Sequence, residues 1–458
     1  MLSLHKSASN KPVLNLVIIG HVDAGKSTLT GHLLKKKGLI SNQDMHRLKK
    51  AADLVNKASF EFAFIMDDDE TEREHGVTIN VTRKTFNTNK YICSLADAPG
   101  HRDFVPNMIG GAANADAAVL VVDARKGEFE SGFSESGQTR EHALIVKSLG
   151  VNQLIIAVNK MDASGWSEDR FTEIKNILGN FLTKNVGFQK KLIQFIPVSG
   201  LSGENLDSRF ENQEKCFLDA IDDLVIPKRA TDKPCRVSIT DVSNVQEMKL
   251  NCLAKIESGT VQKDQILHLQ PSILCDDFLV QVTGVYRDDD EYENQIVAEK
   301  ENSSFYGIAG ETVGLDLKPL SMKFEQVFGT GIWLTEHRKS MKTGQKFRAT
   351  ILILGGDAQT YDNVAVPPIT KGFNVTLHIG TTEVTGKISK LISMIDKKTG
   401  QSLPGRVRCL KSGNAATVVI RTDRLVCVDF ENNISTRFTI RIQGLTIGSG
   451  AFKSIVVD

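Results

Sequence analysis

The sequence lacks the features that mark secreted, membrane-spanning and zinc-dependent proteins. Its seven cysteines are scattered without a C-x-x-C pair, which predicts reduced thiols and argues against a disulfide framework. No two histidines have the H-E-x-x-H spacing of a metal site. The first twelve residues contain no signal-like apolar stretch, and runs such as Ala117–Val122 are too short to span a bilayer. We therefore expect a cytoplasmic protein that does not enter membranes.

An excess of charge of one sign is also missing. The formal net charge is +1, so no positive field over the whole molecule indicates nucleic acid, and any RNA contact would have to be local. Apolar residues make up 41% and charged residues 24%, which is ordinary for a globular protein. The length predicts two to four domains.

The first half of the chain has the pattern of an α/β domain. Five nearly continuous apolar runs alternate with segments of helical spacing, as expected for parallel strands that are covered on both faces. We predict a doubly wound, mainly parallel sheet over residues 13–226, after a short N-terminal segment 1–12, with ligands at the carboxyl ends of the strands. The runs are Leu14–Gly20, Tyr91–Asp97, Ala117–Ala124, Leu154–Lys160 and Ile193–Ser199.

The second half is rich in short β-type segments that are separated by glycine and polar turns. This pattern favours antiparallel barrels, and we predict two of them, at residues 227–338 and 339–458. An acidic stretch, Arg287–Ser304, is predicted to be a solvated loop in the first barrel.

A phosphate-binding loop is predicted directly after the first strand, where GHVDAGKS matches G-x-x-x-x-G-K-[ST]. Its glycines let the backbone wrap closely, so that successive N–H groups can hold a β-phosphate. Lys26 would neutralise β- and γ-phosphate oxygens, and the Ser27 hydroxyl would ligate Mg²⁺. The residues predicted to contact the nucleotide here are Gly20, His21, Val22, Asp23, Ala24, Gly25, Lys26, Ser27 and Thr28.

Two further motifs predict a guanine pocket. NKMD, which contains Asn159, Lys160 and Asp162, follows the fourth predicted strand. A carboxylate there can accept hydrogen bonds from the ring N–H and the exocyclic amine of guanine, which adenine cannot offer. The SGLSG segment could reach the guanine carbonyl through backbone and hydroxyl groups, although alone it could also be an ordinary turn. Its candidate residues are Ser199, Gly200 and Leu201.

The segment DAPG predicts a γ-phosphate sensor at the end of another strand. Asp97 could hold Mg²⁺ through water, and the Gly100 N–H could meet the γ-phosphate. Thr78 is the candidate for a second hydroxyl on the metal. Most of the preceding charged run, MDDDETERE, is predicted to be a solvated loop.

These motifs in this order resemble the translational GTPases, the family of EF-Tu and elongation factor one-alpha. The resemblance extends over essentially the whole chain, since two barrels follow the GTPase domain in that family. It implies a GTPase that uses GTP, GDP and Mg²⁺ and that the ribosome stimulates. By this resemblance, His101 positions the water that attacks the γ-phosphate, and Val22 and Val77 form the apolar gate of that histidine.

Within the family, the sequence looks most like the HBS-one-like branch, whose members partner Pelota on stalled ribosomes. The stretches that carry this likeness include PNMI at 106–109 and SGLSG at 199–203, where tRNA carriers typically read KNMI and SGWxG. The branch implies a monomer that forms a heterodimer with a Pelota-type protein. An aminoacyl-tRNA carrier, a release-factor GTPase and a non-catalytic GTP-binding scaffold remain alternatives.

Three features depart from the pattern of the family. His75 replaces the arginine that is usual in ERERG, and Gly110 replaces the usual threonine after PNMI, where it would favour a looser helix. Only twelve residues precede the predicted GTPase domain, whereas members of the rescue branch have a long N-terminal arm.

Overall fold

The computed structural model divides the chain into two compact units. One consists of residues 1–111, 115–132 and 151–227, and the other of residues 112–114, 133–150 and 228–458. The structure describes residues 11–54, 61–66, 72, 78–134, 137–211, 213–246, 249–271, 278–287, 306–320, 331–338, 340–353, 367–396, 399 and 401–457.

The first unit contains a six-stranded sheet in the order β2-β3-β1-β4-β5-β6. All neighbouring strands are parallel except β2, which pairs antiparallel with β3 at one edge. The five predicted strands and the doubly wound, mainly parallel topology are confirmed, whereas the sequence analysis missed the edge strand β2. The strands are β1 Val13–Gly20, β2 Thr82–Asn87, β3 Ile92–Asp97, β4 Ala117–Asp123, β5 Gln153–Asn159 and β6 Ile193–Pro197.

The sheet forms from runs of residues that are buried on both faces. Every residue of β4 is buried, and β1 is buried from Leu14 onwards, because helices cover both faces of a doubly wound sheet. The α-helices described are α1 Lys26–Lys36, α2 Asn42–Leu54, α3 Val105–Ala113, α4 Glu128–Phe133, α5 Gln138–Leu149, α6 Glu168–Asn180 and α7 Phe217–Asp222. Shorter helical turns are Ala63–Ile65, Arg102–Phe104, Asp162–Ser164, Phe181–Val186 and Lys190–Leu192.

The second unit contains two six-stranded antiparallel barrels, as predicted. The first barrel closes in the order β10-β11-β13-β8-β7-β14, which leaves no unpaired edge. A two-stranded sheet of β9 Thr260–Gln262 and β12 Tyr306–Ile308 accompanies it. The barrel strands are β7 Arg236–Gln246, β8 Lys249–Ser258, β10 Ile266–Gln270, β11 Phe278–Arg287, β13 Thr312–Pro319 and β14 Trp333–Thr335.

The second barrel closes through the pairing of β17 with β18, in the order β17-β22-β23-β15-β21-β18. A short strand β19 Ser402–Leu403 pairs antiparallel with the end of β18, and β16 Ile369–Thr370 pairs with β20 Cys409–Leu410. The barrel strands are β15 Lys342–Ile353, β17 Asn374–Ile379, β18 Thr382–Ile395, β21 Ala415–Val428, β22 Arg437–Ile442 and β23 Leu445–Ile455.

Helix α5 belongs to the second unit, although it lies between β4 and β5 in the sequence. The backbone N–H of Thr446 donates to the Glu141 carboxylate at 3.3 Å. The hydroxyls of Ser148 and Thr439 lie 3.0 Å apart. Helix α5 is therefore attached to β22 and β23 by polar contacts that the sequence pattern does not show.

Some predictions cannot be compared with this structure. The acidic stretch lies outside the described residues, apart from Arg287. The residue boundaries proposed for the domains stay predictions. Among the residues that the structure describes, no helix is long and apolar enough to cross a membrane.

His378 is a buried ionisable group in the second barrel. It lies on β17 with 4% of its surface exposed, and Glu383 is 3.8 Å from its Nε2. Burial and, to a smaller extent, the positive charge of Arg441 together lower the pKa of His378 to about 4. The folded barrel therefore prefers a neutral imidazole.

We predict that acid destabilises the second barrel through His378. The pKa of an unfolded histidine is about 6.5. The stability that the folded barrel gains from keeping this ring neutral is therefore complete above that pH and is lost as the pH falls towards 4. The loss between pH 7.5 and pH 5 should be about 2 kcal/mol. Urea unfolding should show a smaller pH dependence for His378→Gln, while His337→Gln, at an exposed histidine, should behave like the original protein. Equal pH dependence in all three proteins would contradict the prediction.

Candidate functional site

The loops that follow the parallel strands surround a cavity of about 550 Å³ in the first unit. This volume is in the range of small-molecule sites. Thirteen of the predicted site residues line it, together with Ala63, Arg125 and Ala163, which the sequence analysis did not select. The thirteen are Val22, Asp23, Gly25, Lys26, Ser27, Thr28, Thr78, Gly100, His101, Asn159, Lys160, Asp162 and Leu201.

Six predicted residues are not part of the cavity lining. They are Gly20, His21, Ala24, Asp97, Ser199 and Gly200. Several of them hold the lining residues in place. The carbonyl oxygens of Gly20 and His21 accept hydrogen bonds from Lys26, and the carbonyl of Ala24 accepts one from Asn159.

The loop between β1 and α1 has the tight conformation that its glycines predict. Gly25 has a φ of 86° and precedes the first turn of the helix. A Cβ at this position would lie 2.5 Å from Nδ2 of Asn159, so a larger residue would collide with the neighbouring loop. Asp23 also has a positive φ, 59°. A loop of this kind before a helix N-terminus gathers N–H groups suited to an anion.

Lys26 is a buried cation at one end of the cavity. Its Nζ donates to the carbonyl oxygens of Gly20 at 3.2 Å and His21 at 3.0 Å. Burial lowers the pKa of Lys26, while the negative charges of Asp97 and Asp23 oppose this shift. A negatively charged ligand beside Nζ would relieve the cost of burying this charge.

Beside Lys26, two hydroxyls and one carboxylate form a group of oxygen ligands. Ser27 Oγ and Thr78 Oγ1 are 3.2 Å apart. Asp97 is fully buried, and in the described part of the chain neither of its carboxylate oxygens has a hydrogen-bond partner of normal geometry. Burial raises the pKa of Asp97 to about 6, although Ser27 and Lys26 oppose the shift. Such oxygen atoms are the ligands that Mg²⁺ prefers.

Glu72 is buried, although most of the charged run that contains it was predicted to be a solvated loop. It is only 2% exposed, and its Oε1 accepts hydrogen bonds from the N–H groups of Ile79 at 2.8 Å and Asn80 at 2.9 Å. This carboxylate holds the segment directly after Thr78. The sequence pattern could not distinguish Glu72 from the acidic residues around it. The run contains several carboxylates close together, and nothing in their order shows which of them is buried.

His101 lines the same end of the cavity and begins a helical turn. Its side chain is 45% exposed, and Nδ1 accepts a hydrogen bond from the backbone N–H of Asp103 at 3.3 Å. Since Nδ1 accepts, the proton of the neutral ring is on Nε2. The imidazole therefore has one nitrogen available to a water molecule or ligand.

Asn159, at the end of β5, joins three of the loops around the cavity. Its Nδ2 donates to the Ala24 carbonyl at 2.8 Å, and its Oδ1 accepts from the N–H groups of Lys160 and Gly200, each at 2.8 Å. Lys160 donates to the Asp23 carbonyl at 2.6 Å. The NKMD segment, the phosphate-loop segment and the SGLSG segment are thus brought together.

The SGLSG segment forms a closed turn after β6. Ser199 is fully buried, and its hydroxyl accepts from the N–H of Ser202 at 3.1 Å. Glu204 accepts from the Ser202 hydroxyl at 2.8 Å and from the indole N–H of Trp166 at 3.2 Å. Trp166 therefore supports this turn through a polar contact, while its ring packs against Phe210.

Asp123 and Arg125 belong to the site although the sequence analysis did not select them. Asp123 binds Arg125 at 2.8 Å and Lys160 at 2.9 Å. Burial raises the pKa of Asp123, but the hydrogen bonds from Arg125 and Lys160 outweigh it, and the pKa is lowered. Asp123 is the last residue of β4 and Arg125 follows it, and this position at the edge of the sheet where ligands bind was the available signal.

Two residues of the first unit, His75 and Gly110, depart from the pattern of the family, and the structure describes only Gly110. Helix α3 continues through Gly110, so that residue does not interrupt it. His75 and Val77 lie outside the described residues.

The comparisons with known proteins agree with this geometry. Residues 11–227 match the model of the elongation factor Tu GTP binding domain, and residues 346–453 match the GTP-eEF1A C-terminal domain-like model. Protein HBS1 of Drosophila melanogaster is 36% identical over 98% of this chain, which spans 64% of that protein. Elongation factor 1-alpha of Staphylothermus marinus is 37% identical over 98% of this chain and 97% of its own length.

A solved structure has the same fold. The GTPase-like domain of Ski7 from S. cerevisiae, bound to GTP, superposes with a TM-score of 0.79 at 20% identity, and the match covers 97% of both chains. The match to elongation factor 1-alpha over nearly its full length and the matches to the two family models show to which family this chain belongs. The chain is a GTPase of the translational GTPase superfamily, in the group that includes HBS1 and elongation factor 1-alpha.

Proposed function

We propose that this GTPase delivers a Pelota-type protein to the A site of stalled ribosomes and hydrolyses GTP there. The observation that carries the proposal is a single cavity that has Lys26 and His101 at one end and Asn159 and Asp162 among its other lining residues, in a chain 36% identical to HBS1. The chain would act in the cytoplasm, as a monomer that forms a heterodimer with its cargo.

The phosphates of GTP would lie on the loop from Gly20 to Thr28. The N–H groups of this loop and the α1 N-terminus would hold the β-phosphate. Lys26 would bridge β- and γ-phosphate oxygens, which explains why a buried ammonium with a lowered pKa is retained there. The Gly100 N–H would contact the γ-phosphate.

The guanine base would lie at the other end of the cavity. The exposed carboxylate of Asp162 would accept hydrogen bonds from the ring N–H and the exocyclic amine. The stem of Lys160, held by Asp123 and the Asp23 carbonyl, would cover one face of the base. Backbone groups of Ser199, Gly200 and Leu201 would meet the guanine carbonyl.

A magnesium ion would be held by Ser27 and Thr78 directly and by Asp97 through water. The fit rests on the 3.2 Å spacing of the two hydroxyls and on the buried Asp97 carboxylate. When bound, Mg²⁺ supplies positive charge between the β- and γ-phosphates.

Hydrolysis would depend on positioning and electrostatics. Nε2 of His101 would orient the attacking water towards the γ-phosphate, because Nδ1 is engaged with Asp103. His101 is 45% exposed, so its ring needs a further contact to be held in place. Among the described lining residues the only arginine is Arg125, which is bound to Asp123. We infer that intrinsic turnover is slow and that the ribosome completes the site.

An aminoacyl-tRNA carrier is the second candidate function. The observation that favours it is the 37% identity to an elongation factor 1-alpha over nearly its full length. The rescue function is preferred because the chain has PNMI and SGLSG where the carriers typically read KNMI and SGWxG. The two functions share the chemistry and differ in cargo.

The first prediction from the proposed function concerns base recognition by Asp162. Asp162→Asn should weaken GDP binding about a hundredfold, because two hydrogen bonds to a charged acceptor are lost. The variant should gain affinity for xanthosine diphosphate, whose C2 oxygen can accept from the new amide. Competition with a fluorescent GDP measures both, and Asp169→Asn, at an exposed carboxylate, serves as the matched control. Unchanged GDP affinity in Asp162→Asn would exclude the proposed role.

The second prediction concerns His101. His101→Ala should lower ribosome-stimulated GTP hydrolysis by at least about a hundredfold, while GTP affinity stays within about threefold. Single-turnover hydrolysis with ribosomes and equilibrium binding without them separate the two effects. His46→Ala, at an exposed histidine of α2, should have no effect. Full stimulated turnover in the His101 variant would mean that another group positions the water.

The third prediction identifies the cargo. With a non-hydrolysable GTP analogue, the chain should retain a Pelota-type protein and not aminoacyl-tRNA when the two are offered together. Lys26→Ala, which should not bind the analogue, provides a nucleotide-free control. Retention of aminoacyl-tRNA instead would support the carrier function and reject the rescue function.

A further inference from the structure

His32 is a buried side chain of α1 that has no part in the functions proposed so far. It is 9% exposed, and its Nδ1 lies 2.9 Å from the carbonyl oxygen of Gly200. Burial lowers the pKa of His32, the bond to Gly200 opposes that shift, and the nearby Lys36 and Lys35 reinforce it. The ring is therefore neutral at pH 7, with its proton on Nδ1, because a carbonyl oxygen can only accept.

The peptide groups on both sides of Gly200 are held by side chains from other elements. The N–H of Gly200 donates to Oδ1 of Asn159 at 2.8 Å, and its carbonyl accepts from His32. A Cβ on Gly200 would lie 3.0 Å from Cα of Leu29, so the turn rests directly on α1. Gly200 is thus fixed from three directions.

The bond from His32 also determines the direction of the next N–H group. The carbonyl of Gly200 and the N–H of Leu201 belong to one planar trans peptide, in which the two groups point in opposite directions. A carbonyl held towards His32 therefore directs the Leu201 N–H away from α1. Leu201 lines the cavity, so this peptide borders the space that a ligand would fill.

Two further contacts keep the imidazole in its orientation. The ring stacks on Phe62 with 4.1 Å between centroids and 6° between planes. On another side, Gly203 approaches so closely that a Cβ there would lie 2.5 Å from Cε1 of His32. The ring cannot turn without breaking one of these contacts, which is the arrangement expected of a group that orients another.

We propose that His32 is a positioning residue for guanine recognition, which holds the Gly200–Leu201 peptide so that the Leu201 N–H meets O6 of the base. The inference rests on the proposed function, because it takes the guanine carbonyl to be bound by the SGLSG turn. It adds a residue of α1 that acts through the turn and does not touch the nucleotide.

The test compares GDP with 6-thioguanosine diphosphate, which differs from GDP in having sulfur, a weaker acceptor, in place of O6. Dissociation constants are measured on the full chain by competition with a fluorescent GDP. His32→Asn places an amide donor where Nδ1 was, whereas His32→Gln places it where Nε2 was. We expect His32→Asn to keep the preference for GDP within about twofold and His32→Gln to lower it about fivefold.

Two other variants separate positioning from packing. His32→Phe keeps the stack on Phe62 without a donor and should also lose the preference. Phe62→Leu keeps the donor without the stack and should retain it. If His32→Gln weakens both nucleotides equally, or keeps the preference, His32 has no positioning role. If the unaltered chain does not distinguish the two nucleotides, the proposed contact of the turn with O6 is itself wrong.

Discussion

The buried amide of Asn159 is the contact on which the arrangement of the site depends. It is 2% exposed and joins Ala24, Lys160 and Gly200 through three hydrogen bonds of 2.8 Å. These groups belong to loops that follow three different strands, so no local interaction sets their spacing. Loss of the amide would leave several buried polar groups unpaired, at about 1–3 kcal/mol each.

The charged groups around the cavity are not equally satisfied. Burial lowers the pKa of Lys26 and raises that of Asp97, so both groups are costly in the protein alone. Asp123, by contrast, is paired with Arg125 and Lys160. Lys26 and Asp97 therefore gain most from a ligand that brings both phosphate and a metal ion, whereas the Asp123 cluster is already satisfied and can act as a rigid support. The proposed role of His32 extends this rigidity to the SGLSG turn.

Much of the fold and the site followed from local patterns. The apolar runs predicted the five parallel strands because a strand that is covered on both faces consists almost entirely of apolar residues. The motifs predicted most of the cavity lining, since each directly follows a strand and the carboxyl ends of parallel strands share one edge. The edge strand Thr82–Asn87 was missed because all of its residues except Phe86 are polar and most are only partly buried.

The sequence by itself determined the class of the fold and the residue types of the site, because strand periodicity and loop motifs depend on neighbouring residues. Only the tertiary structure decided which polar residues support the site. Glu72, Asp123 and His32 each meet a group that is far away along the chain or hidden among similar residues. The attachment of α5 to the second barrel was decided in the same way. Such contacts arise from packing between separate segments, and apart from the position of Asp123 at the end of β4 the sequence contains no local signal for them.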